Sequence, residues 1–246
     1  LFEGDDDDIF AQYDFHYNDE IAALRDLHQG EPAYIIGNGP SLNDTDPRLI
    51  NKGVTFAANA IYLMDGFEPN YYFCDDTYVA EQRKDEINAL KWKKFFPVDQ
   101  QRFLDNGTFY NGKRVPWINN FSEDFADYIE LNASVSFTMI QMAFHMGCNP
   151  VYLIGMDHSY KNLLKTSTQD GNTMVSNTAD HSHFHKDYFA AGTKWHYPWI
   201  ERMDHAFELS LEHFKKNKRD IYNATCGGNL EVFPRIDYSR LIANNS

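Results

Sequence analysis

The groups able to do chemistry in this 246-residue chain gather where short apolar runs end. One run gives way to Gly37-Asn38-Gly39-Pro40-Ser41-Leu42, others to Asn59, to Asp75-Asp76 and to Gly155-Met156-Asp157. Glycines just after a buried strand let a backbone approach a ligand closely. The first group is nevertheless not a dinucleotide fingerprint, because Leu42 stands where a third glycine belongs, and no Gly-Lys-Ser/Thr follows to make a phosphate loop. Pro40 also removes one amide donor. Asp75 and Asp76 could hold a magnesium or manganese ion on a nucleotide diphosphate, since hard cations take oxygen ligands. Adjacent side chains of an extended segment point opposite ways, so one of the two is expected to face the site and capping a helix is the other use.

The histidines divide into three kinds. His181, His183 and His185 alternate and would share one face of an extended segment. A zinc or iron site there needs further ligands at defined spacing, and the sequence supplies none, so no metal site is assigned. His196 lies two residues before Pro198, where a helix begins, which holds a loop imidazole on a rigid element; a loop imidazole with no task is the alternative. His145, His205 and His213 fall within helices and read as packing or surface residues. Cys74 has no nearby basic partner and is not expected to be reactive.

The elements that must position these groups follow a regular rhythm. Apolar runs at 33–36, 54–57, 71–74, 94–97, 151–154 and 220–223 read as strands. Amphipathic stretches at 78–90, 134–146 and 198–216 read as helices, the last with Ile200, Met203, Phe207, Leu211 and Phe214 along one stripe. An earlier helix is signalled by Asn18 as cap, by Ile21, Leu24 and Leu27 on one face, and by Gly30 as stop. Strands alternating with helices predict a doubly wound, mostly parallel α/β sheet. In such a sheet ligands bind at the carboxyl ends of the strands, near the point where strand order reverses, so the four polar groups should converge on one edge. The organisation expected is an N-terminal arm and helix over 1–30, with the acidic run Asp5 to Asp8 as a solvated arm, then one Rossmann-like domain over 31–246. A polar stretch over 159–181, extending to about 195, reads as a lid inserted into that domain.

Composition removes several function classes. Lys and Arg number 22 against 36 Asp and Glu, a net charge of −14 that repels nucleic-acid backbones. Three scattered cysteines without a CxxC exclude a disulfide scaffold and favour a reducing compartment. No apolar run approaches the roughly 20 residues of a membrane span, and no signal-peptide pattern opens the chain. A cytoplasmic protein is expected, the inner face of the membrane included, and Leu1 in place of Met is consistent with a piece of a longer chain.

Residues 30–42, Gly-Glu-Pro-Ala-Tyr-Ile-Ile-Gly-Asn-Gly-Pro-Ser-Leu, resemble the bacterial sialyltransferases that use CMP-sialic acid on a GT-A-like Rossmann variant. They also resemble the bacterial domain family grouped with hydroxymethyl-dihydropterin diphosphokinases and flagellin-glycosylation proteins. Ala57-Ala58-Asn59-Ala60-Ile61-Tyr62, the helix from Ser134, the run 151–157 and Asn223-Ala224-Thr225-Cys226-Gly227-Gly228 extend the resemblance over residues 30–225. What it implies is a glycosyltransferase taking a CMP-linked, sialic-acid-like sugar to a glycan acceptor in surface-polysaccharide or glycoconjugate synthesis. Gly37, Asn38, Gly39, Ser41 and Asn59 would line the donor, with Asp75, Asp76 and Asp157 nearby. Ser134 and Ser136 would approach the nucleotide from the helix start, and Tyr160 would bind the leaving phosphate, with His158-Ser159 near a second family tyrosine. His196 would be the base, with His185 as its rival. No cofactor is required on this reading, because CMP carries one phosphate. Two alternatives remain: an ATP- and magnesium-dependent diphosphotransferase acting on a pterin alcohol, its metal held by Asp75, Asp76 and Asp157, and a non-catalytic nucleotide-binding module. Sugar, linkage and oligomeric state are not written in the sequence.

Overall fold

The computed structural model describes residues 16–179 and 182–243. The Asp5 to Asp8 run and His181 lie outside these residues. In chain order the strands are β1 (Ala33–Ile36), β2 (Val54–Ala58), β3 (Tyr71–Phe73), β4 (Lys94–Pro97), β5 (Thr108–Tyr110), β6 (Gly112–Arg114), β7 (Ile129–Leu131), β8 (Val151–Ile154), β9 (Ser167–Asp170), β10 (Thr173–Ser176), β11 (Lys194–His196) and β12 (Ile221–Asn223). The helices are α1 (Asp19–Ala22), α2 (Thr77–Gln82), α3 (Lys84–Ala89), α4 (Val135–His145), α5 (Lys161–Lys165), α6 (Ile200–Lys216) and α7 (Tyr238–Ala243).

Seven strands form one sheet in the order β12-β8-β1-β2-β3-β4-β5, and every neighbouring pair is parallel. Both faces are covered, which is why β1 and β2 are buried along their whole length. Alternate residues serve opposite faces. Ala33, Ile35, Phe56, Tyr71 and Phe73 join a core with α4 and α6, whereas Tyr34, Ile36, Ala57, Tyr72 and Cys74 join one with α2, α3 and α7. The winding reverses at β1: the chain proceeds to β5 on one side and returns through β8 and β12 on the other. A crevice must open where the carboxyl ends of β1 and β8 part company.

Several elements depart from expectation. The helix at 78–90 is two, broken at Arg83 (φ −118°, ψ 17°), whose guanidinium donates to the carbonyls of Asp187 and Tyr188 at 2.9 Å each. The edge strand β5 and the small parallel pair β6–β7 were not anticipated. The expected lid is no loop: it holds α5 and an antiparallel sheet in the order β11-β10-β9. Its own small core joins Ala60 to Leu163, Met174, Tyr188, Phe189 and Trp195. Residues 16–30 are not a separate arm either. Ile21 and Leu24 enter the main core, although Leu27 is 52% exposed because the helix proper ends at Ala22. Asn18 caps that helix as expected, accepting from the Ile21 amide. Among the described residues no helix is long and apolar enough to cross a membrane.

Candidate functional site

Two contiguous chambers form a cleft over the carboxyl ends of the strands. The inner one, about 770 Å³, lies at the β1–β8 crevice and is lined by Gly37, Asn38, Gly39, Asn59, Ser134, Ser136, Asp157 and Tyr160 among others. The outer one, about 1040 Å³, is lined by Asp75, Asp76, Arg114, His196, Trp199 and Arg202. Asn59, Ser134, Tyr160, His183 and Tyr188 border both.

The inner chamber is built on close backbone approach. The Gly37 amide donates to the Ile154 carbonyl at 2.8 Å, and the Gly39 amide to that of Gly155 at 2.9 Å. A Cβ on either glycine would strike the Gly155 carbonyl, and one on Gly39 would also overlap the Asp157 carboxylate. Asp157 accepts from Ser41 Oγ at 2.6 Å and from the Ser41 amide at 3.3 Å. Asp157 and Ser41 therefore latch the two loops together, and the amides of Gly37, Gly39 and Ser41 are consumed within the protein. The groups left for a ligand are side-chain carbonyls. Asn38 Nδ2 donates to Ala58 at 3.1 Å, which fixes the amide and leaves Oδ1 buried with no bond, and Asn59 Oδ1 is likewise buried and unbonded. Asn59 holds φ +55°, anchored where Tyr72 donates its hydroxyl to the Asn59 carbonyl at 2.7 Å. Unsatisfied buried acceptors are costly in a resting protein and mark where a donor from a ligand fits. Opposite them stands the N-terminus of α4, where Ser134 caps the helix, its Oγ accepting from the Ser136 amide at 3.2 Å and its carbonyl from the Phe137 amide at 2.9 Å. Burial pushes the Tyr160 hydroxyl up to about 12, with Asp157 and Asp204 adding to it, so Tyr160 remains a neutral donor at the mouth between the chambers.

Strand alternation turns Asp75 and Asp76 opposite ways as the sequence predicts, but both border the outer chamber, where one alone is expected. Asp75 points to the α4 face, where Tyr110 and Thr138 each donate a hydroxyl to its carboxyl at 2.5 Å. Burial raises its carboxyl to about 6 against the pull of those hydroxyls and of Arg114. Arg114, paired with Asp99 at 2.8 Å, and Gln100 both donate to the Asp75 carbonyl. Asp76 points the other way. Its Oδ1 caps α2 through the amides of Tyr78 (2.8 Å) and Val79 (3.2 Å), and its Oδ2 lies 3.0 Å from His196 Nδ1. Burial works to raise the Asp76 carboxyl, but His196 and the two amides outweigh it and hold the group below its ordinary value.

His196 thus sits at the edge of the outer chamber with its ring stacked on Tyr78 (centroids 4.4 Å apart, 23°). A carboxylate only accepts, so Nδ1 carries the proton of this bond, and Nε2 remains on a side chain 35% exposed. A base oriented by a carboxylate is the arrangement needed to take a proton from a hydroxyl. His185 borders neither chamber: its Nδ1 accepts from the Asp187 amide at 3.2 Å. His183 borders both, stacked on Tyr188 at 3.8 Å, and the Phe184 amide donates to the Asn38 carbonyl at 3.0 Å, so this segment crosses the turn that follows β1. The sequence reading missed Tyr188, Tyr78, Arg114 and Arg202, and it named His183 only within the alternating histidine run. Only Tyr78 had a local signal, two residues beyond Asp76 at a helix start.

A family model described as MptE-like, 6-hydroxymethylpterin diphosphokinase MptE-like, matches residues 9–163. No curated protein matches the chain. Among solved structures, the sialyltransferase CstII from Campylobacter jejuni in complex with the substrate analogue CMP-3FNeuAc is similar over 84% of this chain and 86% of its own. The identity is 17% and the TM-score 0.47. The sialyltransferase CST-II in complex with trisaccharide acceptor and CMP is similar over 82% of this chain and 84% of its own, with 17% identity and a TM-score of 0.42.

Proposed function

The chain belongs to the MptE-like family, and from that premise we propose that it is a nucleotide-dependent transferase that moves a sugar from a CMP-linked, sialic-acid-like donor to a glycan hydroxyl. The observation that carries the reading is the His196–Asp76 pair at the edge of a cleft whose inner end offers buried acceptors and a helix N-terminus. In the reaction the bond between the anomeric carbon and the phosphate oxygen breaks, and its electron pair leaves with CMP. The acceptor oxygen forms the new bond to that carbon and yields its proton to His196 Nε2, while Asp76 holds Nδ1–H and stabilises the imidazolium. The departing phosphate is met by the N-terminus of α4 and by the Tyr160 hydroxyl, neutral donors suited to developing negative charge.

The family description favours a second reading, diphosphate transfer from ATP to a pterin alcohol. That chemistry calls for magnesium, and the carboxylates first considered for it do not fit. Asp75 is clamped by two hydroxyls, Asp76 by two amides and His196, and Asp157 by Ser41. Among the described residues no cluster of three His, Cys, Asp or Glu side chains is arranged for a metal. No step is therefore routed through a metal.

A thermal-shift panel of CMP, CTP, UDP, GDP and ATP, each with and without magnesium, separates the readings. CMP at about 100 times its Kd should add roughly 2.7 kcal/mol without metal. Product analysis supplies the second arm, since sugar transfer releases CMP and diphosphate transfer releases AMP. Stabilisation by ATP with magnesium alone, accompanied by AMP, would replace the first reading with the second.

A further inference from the structure

His196 belongs to β11 in the inserted sheet, whereas Asp76 and Tyr78 belong to the start of α2 on the parallel-sheet body. The pair therefore exists only while the two parts stay in register. β11 is an edge strand, and an edge strand presents unpaired main-chain groups. Here one side chain serves them. Gln82 Nε2 donates to the Lys194 carbonyl at 2.8 Å, and the Lys194 amide donates to Gln82 Oε1 at 2.9 Å. A carboxamide is the one kind of side chain that can answer both an N–H and a C=O in this way. Gln82 and Tyr78 are four residues apart and share a face of α2, and Gln82 Nε2 also reaches the Tyr78 carbonyl at 2.8 Å. Lys194 and His196 are two apart and share a face of β11. The Tyr78 hydroxyl meets Thr173 Oγ1 at 2.7 Å, on the strand next to β11.

We propose that Gln82 is a positioning residue: by pairing with both main-chain groups of Lys194 it sets the register of β11 on α2, so that His196 Nδ1 meets Asp76. The inference rests on the transferase reading only for its kinetic consequence. Its geometric part is independent of the substrate.

The test joins a spectroscopic signature to kinetics. Long-range proton–nitrogen NMR of the imidazoles reports which nitrogen of His196 carries the proton. In the unmodified protein at a pH where His196 is neutral, the Nδ1–H form held by Asp76 should dominate. Gln82→Ala, at an exposed position, should keep the fold but let the Nε2–H form grow. Gln82→Glu, which still accepts from Lys194 N–H but repels its carbonyl, should shift the signal further. Turnover of a CMP-linked sugar should fall about tenfold in Gln82→Ala at unchanged KM for the donor, the scale of a misplaced catalytic group. An unaltered tautomer signal in both variants overturns the inference, whatever turnover does. A shifted signal in a protein that transfers from no nucleotide sugar leaves the positioning role intact and removes the transferase reading instead.

Discussion

The β1–β8 crevice and the β11–α2 contact face the same cleft but are held in different ways. At the crevice, main-chain amides bond main-chain carbonyls, and two glycines pack where no side chain has room. Across the contact, every polar bond described above runs through a side chain, from Asp76, Tyr78 or Gln82. Moving the first would mean breaking the parallel sheet. Moving the second would mean breaking those side-chain bonds and drawing Trp195 of β11 out of the small core it shares with Ala60. On the proposed reading the nucleotide end is thus held by the main chain, and the proposed base stands on an inserted element joined to the body by side chains.

The sharpest way to break the comparison is to remove the base. His196→Ala should lower turnover about 10²- to 10⁴-fold, the usual contribution of a positioned proton acceptor. The stabilisation given by CMP should hardly change, because the inner chamber is untouched. His185→Ala, outside both chambers, should leave turnover near its starting value. Loss of activity in His185→Ala with His196→Ala intact would transfer the role to His185 and undo the pairing with Asp76.

A smaller effect tests the rigid side. Gly39→Ala forces a methyl group onto the Asp157 carboxylate and the Gly155 carbonyl. Overpacking of this kind costs about 1–3 kcal/mol, read from the urea midpoint, and CMP should cease to stabilise the protein. Gln82→Ala should cost about 0.5 kcal/mol or less, as an exposed substitution does. Equal losses from the two would mean that the contact is as much a part of the folded core as the crevice.

The same contrast governs what could be read from the sequence. The strands of the parallel body are nearly unbroken apolar runs, so β1, β2, β3, β4, β8 and β12 stand out, and the polar residues at their ends converge as the doubly wound rule requires. Edge strand β5 escaped because Thr108–Tyr110 lies at the sheet's edge with alternating burial and no apolar run to mark it. The inserted sheet escaped for a different reason. Ser167–Asp170 is mostly exposed, and the core beneath it is assembled from Ala60, Leu163, Met174, Tyr188 and Trp195, whose spacing shows no local period. The break at Arg83 is invisible in the helical pattern, and the carbonyls of Asp187 and Tyr188 that its guanidinium meets lie about a hundred residues away in sequence. Asp157 stood at a strand end like a ligand-binding group, and only the fold shows Ser41 occupying it. His183 and His185 alternate alike in sequence, and stacking on Tyr188 decides which one borders the cleft.

A separate effect, on the pH dependence of stability, concerns Asp75, which lies beside Asp76 in sequence yet is bonded on the α4 side. Its carboxyl, ordinarily near 3.8, is raised to about 6, chiefly by burial, in spite of the hydroxyls of Thr138 and Tyr110 and the charge of Arg114. A group raised in the folded state takes up its proton there first. Between pH 7 and pH 5 the folded protein binds that proton while the unfolded chain does not, so stability rises as pH falls through this window. The gain is about 1 kcal/mol for one carboxyl with such values, and above pH 7 the contribution is flat. Asp76 works in the opposite direction, because its carboxyl is held low and loses its support only as acid protonates it. That term is common to the two proteins compared and cancels in their difference. Asp75→Asn removes the titration while keeping the shape, so the wild type should gain about 1 kcal/mol on the variant between pH 7 and pH 5 in urea melts. Parallel curves would show that Asp75 does not titrate in this range. If the curves run parallel and turnover nevertheless falls in the variant, the Asp75 carboxylate acts on the cleft rather than on the fold, and the boundary between the crevice and the side-chain-held contact has to move to include it.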